Sequence, residues 1–287
     1  MKTLTPAKIN LTLEIFGRRP DGFHELATWM VPGSLYDSLD IDATEKDSVL
    51  VNVPGLPNDQ SNLVARARDL FTETTGIGAA YRISLDKNIP IGAGLGGGSS
   101  DAAATLLLLN RIHGEPLDMS RLRQLATGLG SDVPFFVEPR SSWCTGRGEV
   151  MQRREFDKNL WVCLFKPEFG VPTIAAYQAY AQLPEDQRKG EPEYTKWGTL
   201  RNDLERSVFR KYLLLPVIKD WLKQQPETIV ALMSGSGSTM FAIVMDEAGG
   251  RALVERFRGE FGDRIWNWVG KLNPAENLEY RTASHHR

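Results

Sequence analysis

The sequence predicts an α+β protein of two domains, and three observations carry that expectation. Alternating, strand-like segments and helix-like segments are mixed without a regular strand–helix–strand order. At 287 residues the chain is long for a single core. Around "GRGEVMQRREFDKNL" it turns polar, which places a boundary near Arg153 and divides it into residues 1–153 and 154–287.

The elements follow in order. "AKINLTLEI" alternates strictly, with Ile9, Leu11, Leu13 and Ile15 on one face and Lys8, Asn10, Thr12 and Glu14 on the other. That is a half-buried strand with one polar face. "GRRPDGFHEL" is a turn carrying Pro20, Asp21 and Gly22. "LDIDA" and "SVLVNV" read as short strands, "NLVARARDLFTETTG" as an amphipathic helix stopped by Gly76, and "AYRISLDKNI" as another strand. A glycine-rich loop then opens a helix that Gly114 stops, and the short helix "SRLRQLATGLG" leads into "SDVPFF". The second part holds the strand "LWVCLFKP", a helix near "TIAAYQAYAQ" and a charged loop from Pro184 to Lys196. Helices near "LRNDLERSVF" and "YLLLPVIKDWLKQQ" follow. "SGSGSTMFAIVM" links a glycine turn to a strand, and "GGRALVERFRGEFG" makes a last helix.

Composition narrows the function. A net charge of −2 supplies no general basic field, which argues against nucleic acid or a membrane surface as partner. The N-terminal residues alternate too early to hold a signal-peptide core, and no apolar run approaches the ~18 residues of a membrane span. Cys144 and Cys163 are too few for a metal set, and Cys163 in "LWVCLF" reads as a buried thiol. A soluble protein of the reducing cytoplasm is the expectation.

The most informative stretch is "KNIPIGAGLGGGSSDAAATLLLLN", Lys87 to Asn110. "GAGLGG" satisfies the dinucleotide pattern G-x-G-x-x-G, but an amphipathic segment ending in a proline precedes it where that fold needs an apolar parallel strand. No G-x-x-x-x-G-K-[ST] string occurs in the chain. The physics still points to phosphate. Glycines let backbone N–H groups converge on an anion. Ser99, Ser100 and Asp101 are good helix starters ahead of the alanine-rich run. The loop thus sits at a helix N-terminus with free donors and a partial positive charge. A flexible hinge is the alternative.

With the loop in place, the sequence resembles the GHMP kinases (galactose, homoserine, mevalonate and phosphomevalonate kinases). "PIGAGLGGGSSDAA" is similar to their ATP-phosphate motif and "LMSGSGSTMFAIV" to their C-terminal glycine motif. "PAKINLTLEIFGRRPDGFHEL", "NLVARA", "LGSDVPFF" and "GRGE" narrow the resemblance to members that phosphorylate a cytidine-diphosphate-linked methylerythritol. The resemblance implies a ribosomal-protein-S5-domain-2-like N-terminal domain, a ferredoxin-like C-terminal domain and a site between them.

It also implies roles. Pro90, Ile91, Gly92, Ala93, Gly94, Leu95, Gly96, Gly97, Gly98, Ser99 and Ser100 wrap the ATP phosphates, with Asn62 and Lys87 at nucleotide-contacting positions. Asp132 matches the catalytic base and Lys8 the cation beside it, with Asn10 next to Lys8 in the substrate site. His24 would read the cytosine edge, with Phe23 and Tyr177 on the two faces of the ring. Tyrosine is usual where Phe23 stands, so stacking survives and a hydroxyl contact is lost. Taken alone, these residues have plainer readings: Asp132 as a turn or cap, Lys8 as a solvated lysine, His24 as a turn histidine, Tyr177 as helix packing and Asn62 as an N-cap. Mg²⁺ is expected with ATP, and no carboxylate cluster identifies its ligands. His113, His285 and His286 form no cluster in sequence. The alternatives are a kinase for homoserine, mevalonate or a sugar, a nucleotide-binding module without chemistry and, more distantly, an NAD-dependent oxidoreductase.

Overall fold

The computed structural model describes residues 1–157 and 159–274; His285 and His286 lie outside them. The first half contains β1 (Lys2–Arg18), β2 (His24–Thr44), β3 (Ser48–Val51), α1 (Leu63–Thr75), β4 (Ala80–Asp86), α2 (Gly97–Ile112), α3 (Met119–Leu129), α4 (Val133–Val137), β5 (Ser142–Gly146) and β6 (Val150–Arg153). Its six strands form one mixed sheet. β1 runs antiparallel to β2 over almost its whole length, while β4 and β5 pair with opposite ends of β2. The helices bury Val64, Ala67, Phe71, Leu106 and Leu109 against Leu39, Ile41 and Ile83 of that sheet.

The second half contains β7 (Trp161–Lys166), α5 (Thr173–Ala181), β8 (Glu193–Thr195), β9 (Gly198–Leu200), α6 (Glu205–Lys211), α7 (Leu214–Lys223), β10 (Val230–Met233), β11 (Met240–Val244), α8 (Glu247–Phe261) and β12 (Trp266–Lys271). Its main sheet is antiparallel in the order β10-β11-β7-β12. Both faces of this sheet are covered. Cys163, Phe165, Ala231, Met233, Met240 and Ala242 pack in one core with the helices. Val162, Leu164, Leu232, Phe241 and Ile243 pack in another with Ile9, Leu11 and Val31 of the first sheet. Among the described residues no helix is long and apolar enough to cross a membrane.

Burial on both faces of β1 corrects the reading of "AKINLTLEI". Its apolar face meets the second sheet as alternation requires, but the polar face is not open to water: Lys8, Asn10 and Thr12 are 3%, 2% and 1% exposed. "LDIDA" is the tail of a 21-residue strand, not a strand of its own. The polar stretch after Gly146 contains β6, and β8 lies in what reads as a charged loop before Lys196. Gly76 caps α1 in the left-handed conformation as expected.

One buried ion pair underlies the second half. Lys219 donates to Glu205 at 2.7 Å, and Glu205 also accepts the Met233 N–H. Burial pushes the Glu205 carboxyl above its ordinary range even with the Lys219 charge beside it. Lys219→Met leaves that carboxylate without its partner and is expected to cost about 3–5 kcal/mol, read from the midpoint of urea unfolding.

Candidate active site

A cleft of ≈1310 Å³ runs between the two halves, lined at one end by Asn62, Lys87 and residues 89–99 and at the other by Phe23, His24 and Tyr177. The loop begins after β4 and ends in α2. The helix starts earlier than its serines suggest: Gly96 is the N-cap in the left-handed conformation and makes no side-chain cap bond. Ser99 and Ser100 therefore lie inside the first turn. Asp101 is a buried ion-pair partner, not a cap. Among the described residues, the amides of Gly94, Leu95, Gly96 and Gly97 find no protein acceptor. Four free donors at the positive end of a 16-residue helix form a ready seat for a polyanion.

The loop is held from both sides. Its Gly94 carbonyl accepts from the Lys8 ammonium and the Ser234 hydroxyl, both at 3.0 Å, and the Thr239 N–H reaches the Ala93 carbonyl at 3.3 Å. Ser234 also accepts the Asn10 N–H. The turn carrying Ser234 is itself braced by Asn202, whose amide donates at 2.7 Å to the carbonyls of Met233 and Gly235. At the other edge Asp37 accepts the N–H groups of Asn88 and Ile89, fixing the chain where it enters the loop.

Lys8 lines the same cleft. Its ammonium donates to the Asn10 side-chain oxygen and the Gly94 carbonyl, and lies 3.4 Å from a carboxylate oxygen of Asp132. Asn10 turns its amide nitrogen to Thr28 at 2.7 Å, so its oxygen is left aimed at Lys8. Asp132 occupies the N-cap position of α4 yet makes no capping bond. Its carboxylate, about one-third exposed, faces Lys8 and the cleft. A carboxylate so placed is able to take a proton from a hydroxyl that the neighbouring cation orients.

Lys87 is more deeply committed than a simple nucleotide contact. It lies between Asp37 and Asp101, the latter at 2.6 Å, with its side chain only 6% exposed. Burial pulls its pKa down, but the charges of Asp101 and Asp37 outweigh that pull and hold it above the ordinary value. Asn62 caps α1 by accepting the Val64 N–H, its plainer role, and also borders the cleft.

At the far end, Tyr177 of α5 stacks on His24 with ring centroids 5.0 Å apart. Phe23 is 47% exposed and carries the Arg147 guanidinium 4.5 Å from its ring centroid. Burial first, then the charges of Arg18 and Arg188, pull the His24 pKa below its ordinary value. A neutral imidazole offers one donor and one acceptor, which suits a base edge. Outside the cleft, His113 hydrogen-bonds Tyr81.

Known proteins place this architecture. The family model described as GHMP kinases N terminal domain matches residues 62–139, and that described as GHMP kinases C terminal matches residues 191–263. A 4-diphosphocytidyl-2-C-methyl-D-erythritol kinase of Methylacidiphilum infernorum is 41% identical over 257 residues, 86% of this chain and 87% of that one. The chain belongs to the 4-diphosphocytidyl-2-C-methyl-D-erythritol kinase family of GHMP kinases. The relative from Bacillus pumilus is 37% identical, covering 94% of this chain and 98% of its own. A crystal structure of 4-(cytidine 5'-diphospho)-2C-methyl-D-erythritol kinase matches with a TM-score of 0.79 at 34% identity over 95% of this chain and 99% of that one. A homoserine kinase from Cytophaga hutchinsonii, at 18% identity and a TM-score of 0.71, shares the fold. As a GHMP kinase the chain is an ATP-dependent small-molecule kinase.

Sequence reasoning on this GHMP kinase missed Asp37, Asp101, Asn202, Ser234 and Arg147. "SGSGS" pointed toward Ser234 and "GRGE" toward Arg147 without assigning either a contact. Nothing local marks Asp37, whose partners are about 50 residues away.

Proposed function

We propose that the protein transfers the γ-phosphoryl group of ATP to the 2-hydroxyl of 4-diphosphocytidyl-2-C-methyl-D-erythritol. The observation that carries this reading is the Lys8–Asp132 pair, 3.4 Å apart, at the meeting point of a glycine-loop end and an aromatic–histidine end of one cleft. The loop amides and the helix terminus hold the triphosphate. Lys8 orients the hydroxyl and Asp132 takes its proton. The freed oxygen bonds to the γ-phosphorus while the bond to the β–γ bridging oxygen breaks, and ADP leaves. His24 reads the cytosine edge, with Phe23 and Tyr177 supplying aromatic surface beside it. Residues 1–153 supply the loop, Lys8 and Asp132, and residues 154–287 supply Tyr177 and the Ser234 turn.

Among the described residues no group of three or more His, Cys, Asp or Glu side chains could hold a metal by itself. Mg²⁺ arriving on ATP needs no such group, since this ion keeps waters and phosphates as most of its ligands. Ser99 and Ser100 would hold it, and the buried Ser100 hydroxyl has no partner in the protein. When bound, the ion neutralises charge on the transferring phosphate. Cys144 and Cys163 are free, buried and pushed up to about 12 by burial, so they remain thiols; a cytoplasmic enzyme is the setting we infer.

The test is a panel of alcohols with labelled ATP. Label is expected in the cytidine compound and not in mevalonate, homoserine or galactose. Label in mevalonate but not in the cytidine compound overturns the reading.

A further inference from the structure

The roles proposed above concern the glycine-loop side and the His24 side of the cleft and leave the span between them unassigned. If the substrate is a nucleoside joined to a polyol through a diphosphate, the nucleobase sits at His24 and the alcohol at Asp132. A bridge of two negative charges must then cross that span. The cations already placed do not serve it. Lys8 is committed to Asn10, Gly94 and Asp132, and Lys87 lies between two carboxylates beneath the loop.

Arg147 is different. It stands on the tight turn between β5 and β6, held by its own N–H donating to the Glu149 carboxylate. The next residue, Gly148, lies beside the segment that carries Asp132: an added Cβ would meet the Ser131 carbonyl oxygen at 3.4 Å, an ordinary contact. From there the side chain reaches back to lie over Phe23, 4.5 Å from the ring centroid. Arg147 thus lines the cleft with its turn beside the segment carrying Asp132 and its guanidinium on Phe23, the residue before His24. Its nearest charge is Glu149, at 3.9 Å, beyond hydrogen-bond distance. Asp21 also borders this end of the cleft, and its carboxylate is occupied by Arg19 and the Phe23 N–H. Among the described residues the guanidinium makes no hydrogen bond, so its donors stay available to phosphate oxygens.

Resting on the proposed function, we infer that Arg147 is a specificity-determining residue that binds the diphosphate bridge of the substrate, its guanidinium pre-positioned on the face of Phe23. A planar fork of donors suits phosphate, and stacking on an aromatic fixes its orientation before the ligand arrives. One face of Phe23 is thereby covered by Arg147, which leaves the other to the pyrimidine. Arg18, which also borders the cleft, is the nearest candidate for a second cation.

The experiment is calorimetric titration of cytidine and of cytidine 5'-diphosphate, with a non-hydrolysable ATP analogue saturating the glycine loop so that neither ligand enters there. The wild-type protein is expected to prefer the diphosphate. Arg147→Gln is expected to lower that preference about 10- to 100-fold, the range of charge-assisted hydrogen bonds, with cytidine affinity unchanged. In turnover the same variant is expected to raise KM for the cytidine substrate by a similar factor and leave KM for ATP alone. Arg147→Lys, which keeps the charge but not the fork or the stacking, is expected to recover only part, and serves alone if the glutamine variant does not fold. A diphosphate-to-cytidine preference unaltered in either variant overturns the role of Arg147 while leaving the proposed function intact. Wild-type protein that binds neither ligand overturns both.

Discussion

Asp132→Asn is expected to lower kcat about 10²- to 10⁴-fold while leaving affinity for an ATP analogue unchanged. That range corresponds to roughly 3–5 kcal/mol of barrier. The variant is a fair probe because the carboxylate makes no capping bond to α4 and is about one-third exposed. An amide of the same shape keeps the segment in place but cannot take the proton. Lys8→Ala is expected to abolish turnover likewise, since it removes the charge beside the hydroxyl and frees the Asn10 oxygen it holds. Its effect on ATP is smaller, because the Gly94 carbonyl retains the Ser234 hydroxyl. Steady-state kinetics beside calorimetry with the analogue separate these outcomes. Near-normal turnover in Asp132→Asn removes that residue from the mechanism.

Gly94→Ala is expected to be the most damaging single methyl in the loop. Gly94 has φ +75°, and a Cβ there would lie 2.1 Å from the Ser234 carbonyl oxygen and 3.1 Å from that of Gly237. Both obstacles are backbone, so neither can swing aside as a side chain end does. Overpacking of this kind costs about 1–3 kcal/mol, and the left-handed conformation adds roughly 1–2 kcal/mol for a residue with a Cβ. The loop and the Ser234 turn must separate, and the Lys8 contact with the Gly94 carbonyl goes with them. The expected result is a lower melting temperature together with a loss of about 100-fold or more in ATP-analogue affinity. Gly98→Ala is the control. An added Cβ there meets only Leu63 at 3.8 Å, and Gly98 is not among the positive-φ glycines. It is expected to change stability by no more than about 0.5 kcal/mol. Equal damage from both variants would show that glycine content, and not the contact with Ser234, governs the loop.

Much of the site was legible in the residues, though for uneven reasons. The glycine loop fused to a helix start is a local feature, and its free amides follow from local geometry. Lys8 and Asp132 were named only through family resemblance. Alternation alone would put Lys8 in solvent, and "SDVP" alone would make Asp132 a cap. Lys87, expected at the nucleotide, lines the cleft, and its ammonium is also held by Asp37 and Asp101. Its partners come from a distant strand and from a helix position that reads as a starter. Phe23 and Tyr177 were expected to face each other across a base. In the structure Tyr177 rests on His24 and Phe23 carries Arg147.

By itself, the sequence determined the elements whose cause is local: the alternating first strand, the Gly76 stop of α1, the glycine loop that opens α2, and the family through motifs that stand in contiguous strings. The tertiary structure alone decided which charges are buried and what they answer to. The second sheet covers only the apolar face of β1; the glycine loop, the Ser234 turn and Asp132 close over the polar face and make it part of the cleft. The physical reason is that dihedral preference and periodicity act over a few residues. A buried ammonium is set by whichever carboxylates and carbonyls the fold brings within about 3–4 Å of it, and for Lys8 these lie 86 and 124 residues away along the chain.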